Sequence, residues 1–276
     1  MDGSEVLVLL FSLVAATWFL FRWYQRISKA WPATRGLETK LALGLLPPAC
    51  YAGVHAILRV LADLWVVGDS FWTFFYNLWG VTWLAFAMFV MFFCFNISWV
   101  DDALQNNNHA ALSAVVGGGM GVMAIYAGAN IGDGPGWWCV LFAGGLGVLT
   151  WIGLGSILNI YARFTARITV ERDLGCAIRV GAFFLAAGIL LGRASSGDWT
   201  SFFLTCVEFL DGWPVLILTL AAILTERMLR KSPQKLPLWE SIAIGVAYVV
   251  FAIACVALIP SIQETEFHNI LWAKAV

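Results

Sequence analysis

The chain has 276 residues, of which 61% are hydrophobic and 12% charged, and a net charge of −1. A soluble domain carries about twice that charged fraction, so a soluble globular protein is excluded, and the near-neutral charge gives nucleic acid no electrostatic footing. Six cysteines (50, 94, 139, 176, 206, 255) stand singly in apolar stretches with no Cys-x-x-Cys, which argues against a disulfide framework or a zinc site.

The charges fall between apolar runs, each long enough to cross a hydrocarbon core of ~30 Å, which takes about 20 helical residues. Eight spans are predicted, at 5–22, 41–66, 71–98, 110–131, 137–161, 174–193, 200–228 and 239–260. Helices satisfy their own backbone hydrogen bonds in lipid. The expected fold is therefore all-α, a polytopic membrane protein forming a single membrane domain over residues 1–276. The first run has acidic residues before it and basic ones after it, the reverse of a signal peptide, and reads as a membrane anchor. The third and seventh runs exceed a perpendicular crossing, so they tilt or project beyond the lipid. Pro47-Pro48 in the second and Pro214 in the seventh should bend or delimit those helices.

Lys and Arg give an orientation. The loop after span one holds Arg22, Arg26, Lys29, Arg35 and Lys40. The loop after span five holds Arg163, Arg167 and Arg172, and that after span seven holds Arg227, Arg230, Lys231 and Lys235. These are twelve of the sixteen basic residues. With eight spans all three loops share one side, which the positive-inside rule makes cytoplasmic, with both termini outside.

The outer turns look alike. They read Val67-Gly68-Asp69-Ser70-Phe71-Trp72, Ile131-Gly132-Asp133-Gly134-Pro135-Gly136-Trp137-Trp138 and Ser196-Gly197-Asp198-Trp199, with the Gly-Asp pairs 64 and 65 residues apart. This predicts three helical hairpins of one orientation, 41–98, 110–161 and 174–228, with a period of about 65. Spans eight and one have the directions of a split fourth hairpin. Gly117-Gly118-Gly119-Met120-Gly121 and Gly188 to Gly192 carry Gly-x-x-x-Gly spacings, and span five holds Gly144, Gly145, Gly147, Gly153 and Gly155. Such faces let helix backbones approach in lipid, so spans four to six are the expected tight core.

The stretch Asp101-Asp102-Ala103-Leu104-Gln105-Asn106-Asn107-Asn108-His109-Ala110-Ala111, leading into a Gly-rich span, resembles the opening of the hairpin in domain-of-unknown-function family 350. That is a bacterial family of small inner-membrane proteins built from duplicated helical hairpins. The second copy opens at Glu171-Arg172-Asp173-Leu174-Gly175-Cys176-Ala177, where charged residues replace the asparagines. The resemblance covers roughly residues 100–230. It implies the fold class and a bacterial inner membrane, and carries no activity.

Ionisable groups inside spans are costly and are the first functional candidates. His55, Arg59 and Asp63 lie four apart and would share one helix face, as an ion pair that His55 extends into a proton path, or as a purely structural pair. Glu208 and Asp211 precede Gly212-Trp213-Pro214. They face Arg193 or Arg59, or line an outer vestibule that draws cations, or are solvated on a projecting helix. Arg179 is expected to snorkel to the cytoplasmic interface. Asp69, Asp133 and Asp198 either converge as a repeated outer-turn site or only form turns and cap helices. Asn106, Asn107, Asn108 and His109 read as a cap for span four. Trp23, Trp31, Trp65, Trp72, Trp99, Trp137, Trp138, Trp199 and Trp239 fall near span ends, as an interfacial belt does.

No phosphate loop, His-Glu-x-x-His or nucleophile elbow is present. The expectation is a non-catalytic scaffold or accessory subunit with no metal or cofactor, partnered by the bilayer, by further copies or by other membrane subunits. The alternative is a channel or transporter for a small ion that uses the intramembrane charges.

Overall fold

The computed structural model describes residues 2–30, 36–231 and 236–261; Trp31, Arg35 and Lys235 lie outside them. The described chain is a succession of helices: α1 (Gly3–Lys29), α2 (Leu37–Val60), α3 (Leu64–Gly68), α4 (Ser70–Phe95), α5 (His109–Gly128), α6 (Trp137–Ala162), α7 (Phe164–Thr169), α8 (Leu174–Ala194), α9 (Phe202–Glu208), α10 (Pro214–Lys231) and α11 (Leu238–Leu258). A π-helical turn, Trp99–Gln105, precedes α5, and a 3-10 turn, Phe209–Gly212, follows α9. Among the described residues seven helices are long and apolar enough to cross a membrane. The segment Phe202–Gly212 and α10 are together long and apolar enough for an eighth, as a broken span or a re-entrant loop bent by 42°. The protein is thus an all-α polytopic membrane protein.

Short polar side chains start these helices by accepting the first free backbone N–H groups. Asp2 and Glu5 form a capping box on α1, Asp69 caps α4, and Asn108 caps α5 through the N–H groups of Ala110 and Ala111. Asp173 does the same for α8. Of the Asn106–His109 stretch, Asn108 is therefore the capping residue.

The helix ends sort onto two faces. On one, the Trp137 indole donates to the Ser4 hydroxyl at 3.0 Å, and Arg193 donates to the Val256 and Ile259 carbonyls at 3.2 and 3.3 Å. The three Gly-Asp turns lie on this turn face. On the other, Thr39 donates to Asn107 at 2.8 Å and Thr165 to the Phe95 carbonyl at 3.0 Å. The connectors after α1, α4, α6 and α10 lie there.

Two predicted spans are interrupted. The second ends at Val60, and Asp63 lies beyond it as the cap of α3. The seventh breaks at Gly212-Trp213-Pro214, where proline has no N–H to continue the helix. Pro47 and Pro48, by contrast, sit within an uninterrupted α2.

The core is built on α5 against α8. A Cβ on Gly117 would strike the Gly181 carbonyl, one on Gly188 the Gly121 carbonyl, and one on Gly128 the Gly192 carbonyl. The pairing advances in the same sense along both helices, so they are parallel and touch backbone to backbone. The glycines of α6 serve otherwise. Gly144 receives the Trp83 ring and Gly155 the Phe95 and Phe184 rings, while Gly145 and Gly153 face open space. The tight core is therefore narrower than spans four to six. α11 packs on α8 and α1 on α4, so they join different hairpins rather than forming a fourth. Trp23 is buried, donates to the Leu43 carbonyl at 3.0 Å and stacks on Trp99 at 3.9 Å, so it belongs to the interior rather than to the interfacial belt.

Residues 65 apart match in the connectors. Asn107 (φ 45°) and Arg172 (φ 53°) are both left-handed, and the capping residues Asn108 and Asp173 follow them.

Candidate functional site: an acidic cavity on the turn face

Three short segments are laced together on the turn face. Gly132 N–H donates to the Leu61 carbonyl at 3.2 Å, and Ala62 pairs with Gly132 as an isolated parallel bridge. Gly197 N–H donates to Ile131 at 2.9 Å and Trp199 N–H to Asp133 at 2.7 Å. Gly132 has φ +100°, and a Cβ there would lie 2.5 Å from the Gly197 carbonyl carbon. Both the backbone conformation and the close approach demand glycine, which explains this Gly-Asp pair.

The lacing brings carboxylates together. Asp133 N–H donates to Oδ1 of Asp198 at 2.8 Å, and Gly134 N–H to Oδ2 of Asp63 at 3.4 Å. The third member of the group is therefore Asp63, not Asp69. The end of α2 at Val60 brings residues 61–63 against Gly132, whereas Asp69 lies past α3 and accepts from Phe71 N–H at 2.7 Å. Asp133 is exposed at the rim, and its carboxyl is held above the usual range, first by the charge of Asp63, then by slight desolvation and by the charge of Asp198.

Behind this rim lies a cavity of about 520 Å³. Glu5, Asp63, Asp133, Asp198 and Glu208 all line it. Glu208 is only 6% exposed and ends α9 just before the break. Its burial places it in the cavity wall rather than in open solvent. Among the described residues no three His, Cys, Asp or Glu groups have the spacing of a metal site.

The other predicted charges are not gathered here. His55 and Arg59 lie on an exposed flank of α2. Asn77 Nδ2 bonds His55 Nδ1 at 3.0 Å, and Arg59 donates to the Val67 carbonyl at 3.4 Å. The Arg59–Asp63 helix-face pair and its relay through His55 do not form, because the helix ends between the two charges. Asp211 lines a separate small crevice with Arg193.

One buried cluster escaped the sequence reading. Glu226 on α10 accepts from Arg179 Nε at 2.5 Å and from Arg167 at 2.6 Å. Arg167 also pairs with Asp173 at 2.7 Å, and Arg179 donates to Ser241 at 2.6 Å. Arg179 is 3% exposed, so it does not snorkel but turns inward to a partner. Burial alone would raise the Asp173 carboxyl. The Cys176 N–H, the Arg167 hydrogen bond and the charges of Arg167 and Arg179 outweigh it and hold the group below its usual range. The signal was Glu226 itself, a carboxylate within a predicted span.

No family model matches the chain, and no curated protein or solved structure matches it.

Proposed function

We propose that this is a non-catalytic membrane protein of the bacterial cytoplasmic membrane that admits small cations from the outer side. The observation that carries the reading is the gathering of Asp63, Asp133 and Asp198 at the rim of a cavity that Glu208 lines at the break between α9 and α10. Several carboxylates around one cleft focus a negative potential and concentrate cations. Helices broken within the membrane are a recurrent way of building transport sites. The residues lining the cavity come from the turn face, and on the opposite face the Arg167–Glu226–Arg179 cluster ties α7, α8 and α10 together. The basic loops support placing the turn face, and with it both termini, outside. The matched connectors at Asn107-Asn108 and Arg172-Asp173 support duplicated hairpins.

A scaffold that holds further copies or other membrane subunits is the second reading. It is favoured by the backbone-to-backbone lock of α5 and α8, which suits a rigid frame. Proteoliposomes separate the two. A cation gradient that drives saturable exchange, lost in Asp63→Asn and Glu208→Gln, supports the first. Folded protein with no cation binding and no exchange rejects it.

A further inference from the structure

The cavity suits a larger guest than a bare metal ion. Its volume of about 520 Å³ falls in the range that takes small organic molecules, and its carboxylates are too dispersed for metal-ligand spacing among the described residues. Trp72, Tyr76 and Trp199 add aromatic surface to the same wall. Asn130 and Thr205, at 7% and 8% exposed, line it as well. The Asn130 amide commits its NH2 group to the Tyr126 carbonyl at 2.7 Å, which leaves the side-chain oxygen as an acceptor. The Thr205 hydroxyl makes no hydrogen bond to another described residue, and Thr205 lines the cavity.

Buried acceptors without donors are costly. A negative rim, acceptors in need of N–H groups and aromatic faces together select a cation that carries both N–H donors and an apolar body. We infer that the cavity binds an organic ammonium ion, with its N–H groups on the Asn130 oxygen, the Thr205 hydroxyl and the Asp63 carboxylate, and with the Asp133 carboxylate adding negative charge at the rim. Its alkyl body lies against Trp72, Tyr76 and Trp199. This rests on the cation reading above and names the substrate class.

The test uses the full chain in lipid nanodiscs, with tryptophan fluorescence and calorimetry as readouts. The probes are n-butylammonium, sodium, magnesium and n-butanol at constant ionic strength. Butylammonium should bind saturably and about tenfold or more tighter than sodium or magnesium, the worth of burying about two of its methylene groups. Butanol should not bind. Thr205→Val, which keeps the shape, and Asp133→Asn, at the exposed rim, should each weaken butylammonium severalfold. Sodium or magnesium matching butylammonium overturns the ammonium assignment and leaves the cation reading standing. Butanol matching butylammonium, or no response to any cation, overturns both. Unchanged butylammonium binding in both variants overturns the assignment to this cavity.

Discussion

The backbone N–H of Asp133 donates to the carboxylate of Asp198 across 2.8 Å, although the two residues stand 65 apart in the chain. This bond sets one acidic side chain beside the backbone of another, and Asp63 joins them through Gly134. Three carboxylates kept close repel one another unless a cation or a proton intervenes.

The rim should therefore titrate unevenly. Asp63 is the first cause of the raised Asp133 carboxyl and Asp198 a lesser one. Asp63→Asn should lower the Asp133 pKa more than Asp198→Asn does, read from the carboxyl carbon shift of labelled Asp133 against pH. A raised folded pKa means that this group favours the fold below its ordinary pKa and loses that contribution as pH rises through the raised value. Equal shifts in the two variants would sink the ordering.

Asp173 should show the opposite sign. Its carboxyl lies below the ordinary 3.8, so its contribution is present above that value and is lost as pH falls through the lowered one. Asp173→Asn should unfold more easily at neutral pH, and the gap from the native protein should narrow below about pH 4. Thermal unfolding in detergent across that range checks it. A gap that does not change with pH would mean the carboxylate acts only as a helix cap.

The Glu226 cluster makes a further prediction. Removing the carboxylate leaves Arg179 and the mostly buried Arg167 short of a counter-charge. Glu226→Leu should cost about 3–5 kcal/mol, whereas Glu226→Leu combined with Arg179→Leu should cost less than the single change. A double-mutant cycle on unfolding in detergent measures this. Additive losses would show that the pair is not coupled.

How far these features were legible in the sequence depends on range. Hydropathy alone locates the long apolar helices, seven of them or eight with the bent pair, because a span must be apolar throughout its length and helices bond locally. The breaks after Val60 and at Gly212-Trp213-Pro214 were harder to see: Pro214 marked one, and nothing local marked the other. The matching turns allow either convergence or simple turn formation at Asp133 and Asp198, and the place of Asp63 instead of Asp69 depends on where α2 stops. Glu226 stands out in the sequence as a carboxylate inside a span, but its partners come from α7 and α8, and pairing across that distance leaves no spacing to read. The Gly-x-x-x-Gly motifs named a close contact without naming its partner.

That contact yields the sharpest stability test. A Cβ on Gly188 would run into the Gly121 carbonyl, backbone that cannot swing away as a side chain does, so Gly188→Ala must push α5 and α8 apart. The loss should be about 1–3 kcal/mol or more, as for other overpacked cores. Gly153 on α6 has nothing within 4 Å of its added Cβ. Gly153→Ala should be neutral or stabilise by up to about 1 kcal/mol, because alanine loses less backbone freedom in a helix. Both changes add one methyl to a membrane helix and differ only in what that methyl meets. Unfolding midpoints in the same detergent compare them directly. Equal midpoints would mean that α5 and α8 do not touch through their glycines, and the core would have to be sought elsewhere in the bundle.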